Sequence, residues 1–244
     1  MKPIAILNNG SFRRMEPGFL KACGGDQETV FAAAGGVPAS AFVGFDIEAG
    51  EALPDPAQYS GVILTGSAAM ITDRHPWAEA EAAWVRKHHG KLPMLGVCFG
   101  HQMLAHALGG EVADTPTGPE YGTFEVALTP EGLADPLFTG MPPRFPAQSA
   151  HSQSVIALPA AAKVLATGAS GVQAARFGGE SWGLQFHPEF GAGVMRGLFE
   201  SYRDHYLGLG LDVDRLTADL RETGPATSFV QRFVRHCTGG RGRD

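Results

Sequence analysis

Pro93-Met94-Leu95-Gly96-Val97-Cys98-Phe99-Gly100-His101-Gln102-Met103-Leu104-Ala105-His106-Ala107-Leu108-Gly109-Gly110 decides how this chain is read. An apolar run ends at Cys98. A helical pattern with Met103, Leu104, Ala107 and Leu108 on one face starts directly after it, and Gly109-Gly110 stops it. A strand that becomes a helix at one residue strains that residue's backbone and pushes its side chain outward. The positions two before and two after must then be small, and both are glycine, Gly96 and Gly100. Cys98 also lies at the positive end of the helix dipole, which favours a thiolate nucleophile. Cys23 and Cys237 have no such frame and read as small buried hydrophobes.

A thiol nucleophile needs a base, and Trp182-Gly183-Leu184-Gln185-Phe186-His187-Pro188-Glu189-Phe190 offers one. In an extended segment, residues two apart project to the same side, and Pro188 disfavours the helical region for His187. Glu189 is thereby expected to accept the Nδ1 proton of His187, fixing the tautomer whose Nε2 exchanges a proton with Cys98. The chain order is nucleophile, base, orienter.

Gly96-Val97-Cys98-Phe99-Gly100-His101-Gln102 and Gln185-Phe186-His187-Pro188-Glu189 resemble the two signature motifs of the class I (triad) glutamine amidotransferases. The likeness is closest to stand-alone members similar to the amidotransferase domain of GMP synthase, and it runs from about Tyr59 to about Tyr206. It implies that Cys98 attacks the side-chain amide of glutamine to give a γ-glutamyl thioester and ammonia, and that water then releases glutamate. His187 would protonate the departing ammonia and activate the water, with Glu189 orienting the ring. The oxyanion needs two N–H donors: the amide of Phe99 and one from Gly66 or Ser67 in Thr65-Gly66-Ser67-Ala68. At that loop the family usually has two glycines followed by proline. By the same resemblance Gln102 contacts the bound glutamine, and the backbone of His151-Ser152-Gln153 holds its α-amino and α-carboxylate groups. Gln153 stands where close relatives often carry aspartate, which suits an α-ammonium better than a neutral amide does. Glu120-Tyr121-Gly122 fits a family pattern without assigned chemistry.

The chain has 244 residues, enough to bury a full α/β core. Its 19 Lys and Arg against 25 Asp and Glu give a net charge of −6, and no basic cluster arises before Arg241 and Arg243, which argues against a nucleic-acid partner. Three widely spaced cysteines give no disulfide framework and suit a reducing compartment. No apolar run approaches membrane-spanning length, and Met1-Lys2-Pro3-Ile4-Ala5-Ile6-Leu7 leads into Asn8-Asn9-Gly10 without a signal-peptide core, so a cytoplasmic protein that does not engage membranes is expected.

The expected architecture is α/β: a flavodoxin-like, mostly parallel sheet with helices on both faces, plus a helical C-terminal extension. Residues 4–7, 62–64, 94–97 and 183–186 read as short buried strands. Residues 78–89 read as a helix with Trp77, Ala80, Trp84 and His88 on one face. Alternation near 123–128 and 172–177 suggests antiparallel strands at one edge. The domain division expected is 1–206 for the amidotransferase-like unit and 207–244 for the extension, with Gly239 to Asp244 as a frayed tail. Functional loops should collect at the carboxyl ends of the parallel strands, where Gly66 and Cys98 fall.

His88-His89 and His101 with His106 complete no zinc spacing and read as surface or capping residues; Gly24-Gly25 and Gly35-Gly36 lack the strand-before, helix-after setting of a phosphate loop. No metal and no cofactor are therefore expected. Three readings remain. The first is a glutaminase passing ammonia to a separate synthetase or acceptor subunit; the second is a self-sufficient hydrolase of γ-glutamyl amides or peptides; the third, against which the intact triad argues, is a non-catalytic binding module. A homo-oligomer is compatible with all three.

Overall fold

The computed structural model describes residues 2–239. In chain order the first half runs β1 (Ile4–Asn8), α1 (Pro17–Cys23), α2 (Gln27–Gly35), β2 (Phe42–Asp46), β3 (Gly61–Leu64), α3 (Pro76–His88), β4 (Met94–Val97), α4 (Phe99–Ala107) and β5 (Glu111–Asp114). The second half runs β6 (Glu120–Leu128), α5 (Pro130–Ala134), β7 (Arg144–His151), β8 (Gln153–Ala157), β9 (Lys163–Gly168), β10 (Gly171–Arg176), β11 (Ser181–Leu184), α6 (Ala192–Ser201), α7 (Arg203–Gly208), α8 (Val213–Ala218) and α9 (Gly224–Cys237).

Alternation along the central strands divides the interior into two cores. Ile4, Ile6, Ile63, Leu95 and Val97 face one side, with Phe31 of α2 and Phe229 and Phe233 of α9. Ala5, Leu7, Val62, Leu64 and Met94 face the other, with Ala82 and Val85 of α3 and Met103 and Leu104 of α4. Nine strands form one sheet in the order β2-β1-β3-β4-β11-β10-β9-β6-β7, and β5 and β8 form a separate two-stranded ribbon. The first five are parallel, with β1 beside β2 and β3, and β4 beside β3 and β11. From β11 onward every pairing is antiparallel. This is the expected α/β sheet with helices on both faces and an antiparallel edge. Among the described residues no helix is long and apolar enough to cross a membrane.

The C-terminal helices close the molecule. Phe229 and Phe233 of α9 are fully buried in the first core, each worth roughly 1.5–3 kcal/mol of burial. Just before α9, the Arg221 amide donates to Thr123 Oγ1 on β6, and its carbonyl accepts from Gln148 Nε2 on β7. A third apolar cluster gathers Phe12, Phe19, Phe190, Phe199 and Tyr206 from both ends of the sequence. Of the tail expected at Gly239 to Asp244, residues 240–244 lie outside the described residues.

Three local expectations shift. The strand expected at 183–186 is Ser181–Leu184: Gln185 N–H still reaches the neighbouring β10 at the Gln173 carbonyl, but His187 N–H turns away to the Gln148 carbonyl on β7. The helix begins at Pro76, and its buried stripe is Ala78, Glu81, Ala82, Trp84 and Val85; Ala80 is exposed. Small residues let α3 approach the sheet closely, and the aromatic side chains misled the assignment of the face. His101, expected at the surface or at a cap, is fully buried against Phe177, and burial pushes its pKa down to about 3.

The elbow rests on close backbone contact. Cys98 has φ 51° and ψ −106°, a region that costs a non-glycine residue of order 1–3 kcal/mol. Its amide donates to the Leu184 carbonyl at 2.8 Å and its carbonyl accepts from Gln102 N–H at 3.1 Å, so β11 and α4 together fix the turn. A Cβ on Gly100 would be driven into the Leu64 carbonyl of β3, and one on Gly96 into the Gly100 carbonyl. Gly100→Ala is therefore expected to cost about 1–3 kcal/mol by overpacking and to displace the thiol. Urea unfolding compared with the rate of thiol alkylation checks this; a variant with native stability and native Cys98 reactivity would remove the tight-elbow account.

Candidate active site

Loops following β1, β3, β4 and β11 converge on a cleft of about 360 Å³. It is lined by Gly66, Ser67, Cys98, Gln102, His151, Ser152, Gln153, His187 and Glu189, which are the expected site residues except Phe99. The Phe99 side chain turns away to pack on Trp77, 5.5 Å between ring centroids. As the first residue of α4, however, Phe99 has an amide with no intrahelical acceptor.

His187 and Glu189 meet as expected, although their segment is a turn beyond β11 and not a strand. His187 Nδ1 donates to Glu189 Oε1 at 2.8 Å, and both side chains are buried. The imidazole stacks face to face on Phe190, with centroids 4.6 Å apart and planes 4° from parallel, which fixes the ring plane. Burial alone would push His187 down, but the Glu189 carboxylate and the nearby Cys98 sulfur outweigh it and carry the pKa up to about 10. That upward shift favours the protonated ring, a proton donor lying between a carboxylate and a sulfur.

Gly66 makes that approach possible. A Cβ there would lie 2.9 Å from His187 Cε1 and 3.6 Å from Cys98 Cβ, so the backbone of the loop after β3 passes directly beside both groups. Ser67 Oγ accepts from the Ala69 amide and so shapes the same loop.

On the other side of Cys98, Gln102 Nε2 donates to the Gln153 carbonyl at 2.7 Å and to Gln185 Oε1 at 3.2 Å, while Gln185 Nε2 lies 3.8 Å from Cys98 Sγ. Gln185 belongs to the second motif, but the sequence alone gives it no part at the site; its place beside the thiol follows from the early end of β11. Both amide protons of Gln153 are committed, to Thr72 Oγ1 and Asp114 Oδ1, and its Oε1 is a buried acceptor without a donor. Ser152 Oγ pairs with Tyr121 Oη at 2.9 Å. His151 is held by its own network, Nδ1 to the Gln153 carbonyl and Nε2 to Glu120 Oε2, each 3.0 Å. Burial raises Glu120, but hydrogen bonds involving His151, Ser170 and Gln173 hold it below the usual carboxylate range.

Known proteins resemble this chain in family and in fold. The family model described as glutamine amidotransferase class-I matches residues 40–202. The glutamine-hydrolyzing GMP synthase of Aeropyrum pernix is 43% identical over 142 residues, 57% of this chain and 25% of that protein. A separate subunit of the glutamine-hydrolyzing GMP synthase of Ignicoccus hospitalis is 35% identical over 141 residues, 56% of this chain and 70% of that subunit. The chain thus spans about a quarter of the full-length synthase and most of the separate subunit. A crystal structure of a glutamine amidotransferase from Thermotoga maritima superposes with a TM-score of 0.74 at 24% identity, covering 96% of this chain and 97% of that one, a likeness of fold.

One residue under the site had no sequence signal beyond being a carboxylate in a buried helical stripe. Glu81 is fully buried, its Oε1 accepts Asn9 Nδ2 at 3.2 Å, and both Glu81 Oε2 and Asn9 Oδ1 are buried without partners. Asn9 in turn ties to Thr65, through N–H to Oγ1 at 3.0 Å and Nδ2 to the carbonyl at 3.4 Å, beside the Gly66 loop. Burial pushes Glu81 up to about 8, so at neutral pH it is a carboxylic acid with a proton to offer. A raised carboxyl pKa stabilises the fold fully below the unfolded value near 4.5, and that contribution is lost as pH rises through about 8. Unfolding free energy is thus expected to fall across this window, on the order of a few kcal/mol if no other group offsets it. Glu81→Gln, neutral at every pH, should remove the Glu81 part of the slope. Urea titrations at a series of pH values decide the matter, and an identical slope in both proteins would show that Glu81 is ionised in the fold.

Proposed function

This chain belongs to the glutamine amidotransferase class-I family, and on that footing we propose that it cleaves γ-glutamyl amides, glutamine foremost, through a thioester on Cys98. The observation that carries the proposal is the strained elbow at Cys98, with the Gly66 backbone passing beside both Cys98 and a His187 ring that is hydrogen-bonded to Glu189.

In this mechanism the Cys98 sulfur attacks the amide carbon, and the negative charge developing on oxygen is met by the Phe99 amide and by the backbone of Gly66 or Ser67. His187 gives its proton to the departing nitrogen, then takes one from the water that hydrolyses the thioester. Glu189 stabilises the imidazolium and holds its tautomer. Gln185 Nε2 steadies the sulfur. Gln153 lines the cleft where an α-ammonium would sit, its side-chain amide held by Thr72 Oγ1 and Asp114 Oδ1. The aspartate of close relatives would act directly on the same group.

The likeness to a separate synthase subunit supports a role in which ammonia passes to a partner synthetase in the cytoplasm. A specific feature favours a second reading, hydrolysis of larger γ-glutamyl compounds: the cleft extends well beyond the polar groups around Cys98, with Phe12, Phe19 and Leu209 in its wall.

Ammonia release from glutamine by the purified protein, alone and with a synthetase, tests the proposal. Cys98→Ala and His187→Ala should abolish turnover. Glu189→Gln should keep the fold and lose on the order of 10²–10⁴ in rate through a misoriented imidazole. Full activity in Cys98→Ala would end the thiol mechanism, and full activity in Glu189→Gln would remove the third member.

A further inference from the structure

We infer that the cleft selects γ-glutamyl amides of neutral, apolar amines, the amine substituent lying among Phe12, Met15, Phe19, Phe190, Tyr206 and Leu209. This rests on the thiol-hydrolase reading above and names its substrate class.

The cleft has two chemically different halves. Around Cys98 it presents Gln102, Ser152 and Gln153, groups that suit the ammonium and carboxylate of a glutamyl unit. The other half is a continuous apolar wall that starts at the imidazole itself. Phe190 covers one face of His187, and the Phe12 and Phe19 rings each lie 6.0 Å from Phe190. Tyr206 closes the opposite side, its ring edge-on to Tyr121 at 5.2 Å, and Leu209 stands at the rim. His187 delivers its proton to the leaving nitrogen, so whatever that nitrogen carries must lie next to the His187 ring, beside this wall. Ammonia would leave the apolar half empty.

Charge narrows the class further. Among the described residues no lysine or arginine lines the cleft, its one carboxylate, Glu189, is bonded to His187, and the exposed His205 stands beside Tyr206 at the rim. Arg13 and Arg14, adjacent in sequence to Phe12 and Met15, are held outside by Asp26, Asp46 and Glu48. An amino acid or peptide leaving group would bring a carboxylate into a wall that offers no lysine or arginine and whose His187 is already bonded to Glu189. Five of the six wall residues lie outside residues 40–202, so this half is built from segments beyond the family match.

The chemistry balances with water as the only co-reactant. The C–S bond forms as the C–N bond breaks, and the amine departs with the proton of His187. Water then adds to the thioester and returns a proton to His187, the C–S bond breaks, and the carboxyl proton goes to solvent. The products are glutamate and the amine.

Binding to the Cys98→Ala protein, measured by calorimetry, separates the subsite from the chemistry. The probes are glutamine, γ-glutamylmethylamide, γ-glutamylbenzylamide and γ-glutamylglycine; benzylamine and methylamine are close to ammonia as leaving groups, so turnover by the unmodified protein is compared on the same series. The benzylamide should bind, and be cleaved with a kcat/KM, about ten- to a hundredfold better than glutamine, with γ-glutamylglycine no better than glutamine. Leu209→Asp, at a position 52% exposed, and Met15→Asp, at a half-buried one, should each cut the benzylamide-to-glutamine ratio by about tenfold. Equal or weaker binding of the benzylamide, or a ratio unmoved in both variants, overturns the subsite. If the benzylamide binds as expected but the unmodified protein releases amine from none of the probes, the subsite stands and the hydrolytic reading falls.

Discussion

Everything at the site depends on one strained residue. Cys98 holds a backbone conformation that ordinary side chains avoid, and it does so because β4 and α4 are pressed together with β3 through two glycines. The Leu184 carbonyl on the neighbouring strand anchors the Cys98 amide, so the elbow is tied to the strand after which His187 emerges. Nucleophile and base are thus positioned by adjacent parallel strands, whose register of Leu184 against Val97 fixes their separation before any side chain is chosen. Strain of this kind survives only where the surroundings over-determine it, and here two large apolar cores flank the strands on both faces.

Electrostatics then give the geometry its chemistry. A buried histidine without partners becomes neutral, as His101 does at about 3; a buried histidine between a carboxylate and a sulfur is carried up to about 10, as His187 is. The same ring in the same kind of interior is set apart by its neighbours alone. The carboxylates follow the same rule: Glu120 stays ionised because His151 and Gln173 meet it, whereas Glu81, met by one amide, keeps its proton. Both lie behind segments that border the cleft, so the packing of the loops around Cys98 depends on buried polar pairs as well as on apolar contact.

The elbow, the His187–Glu189 pair and the parallel half of the sheet were legible in the sequence because each is local: the spacing of glycines, a proline between two polar residues, short apolar runs. Where the sequence misled, a longer-range effect prevailed. Strand β11 ends early because His187 finds a carbonyl on β7, and α3 turns Glu81 inward because Asn9, far away in sequence, offers it an amide. Phe12, Phe19 and Leu209 carry no sequence mark of the cleft, since only the docking of α1, α6 and the C-terminal helices brings them beside Phe190. The polar half of the site is thus written in motifs, and the apolar half exists only in the fold.

The most direct measurement is the mass of the protein quenched in acid during turnover of glutamine or γ-glutamylbenzylamide, followed by peptide mapping. A γ-glutamyl adduct on the peptide containing Cys98, accumulating and decaying with turnover, is the predicted result. Turnover with the adduct on Cys23, on Cys237 or on no cysteine would contradict the account.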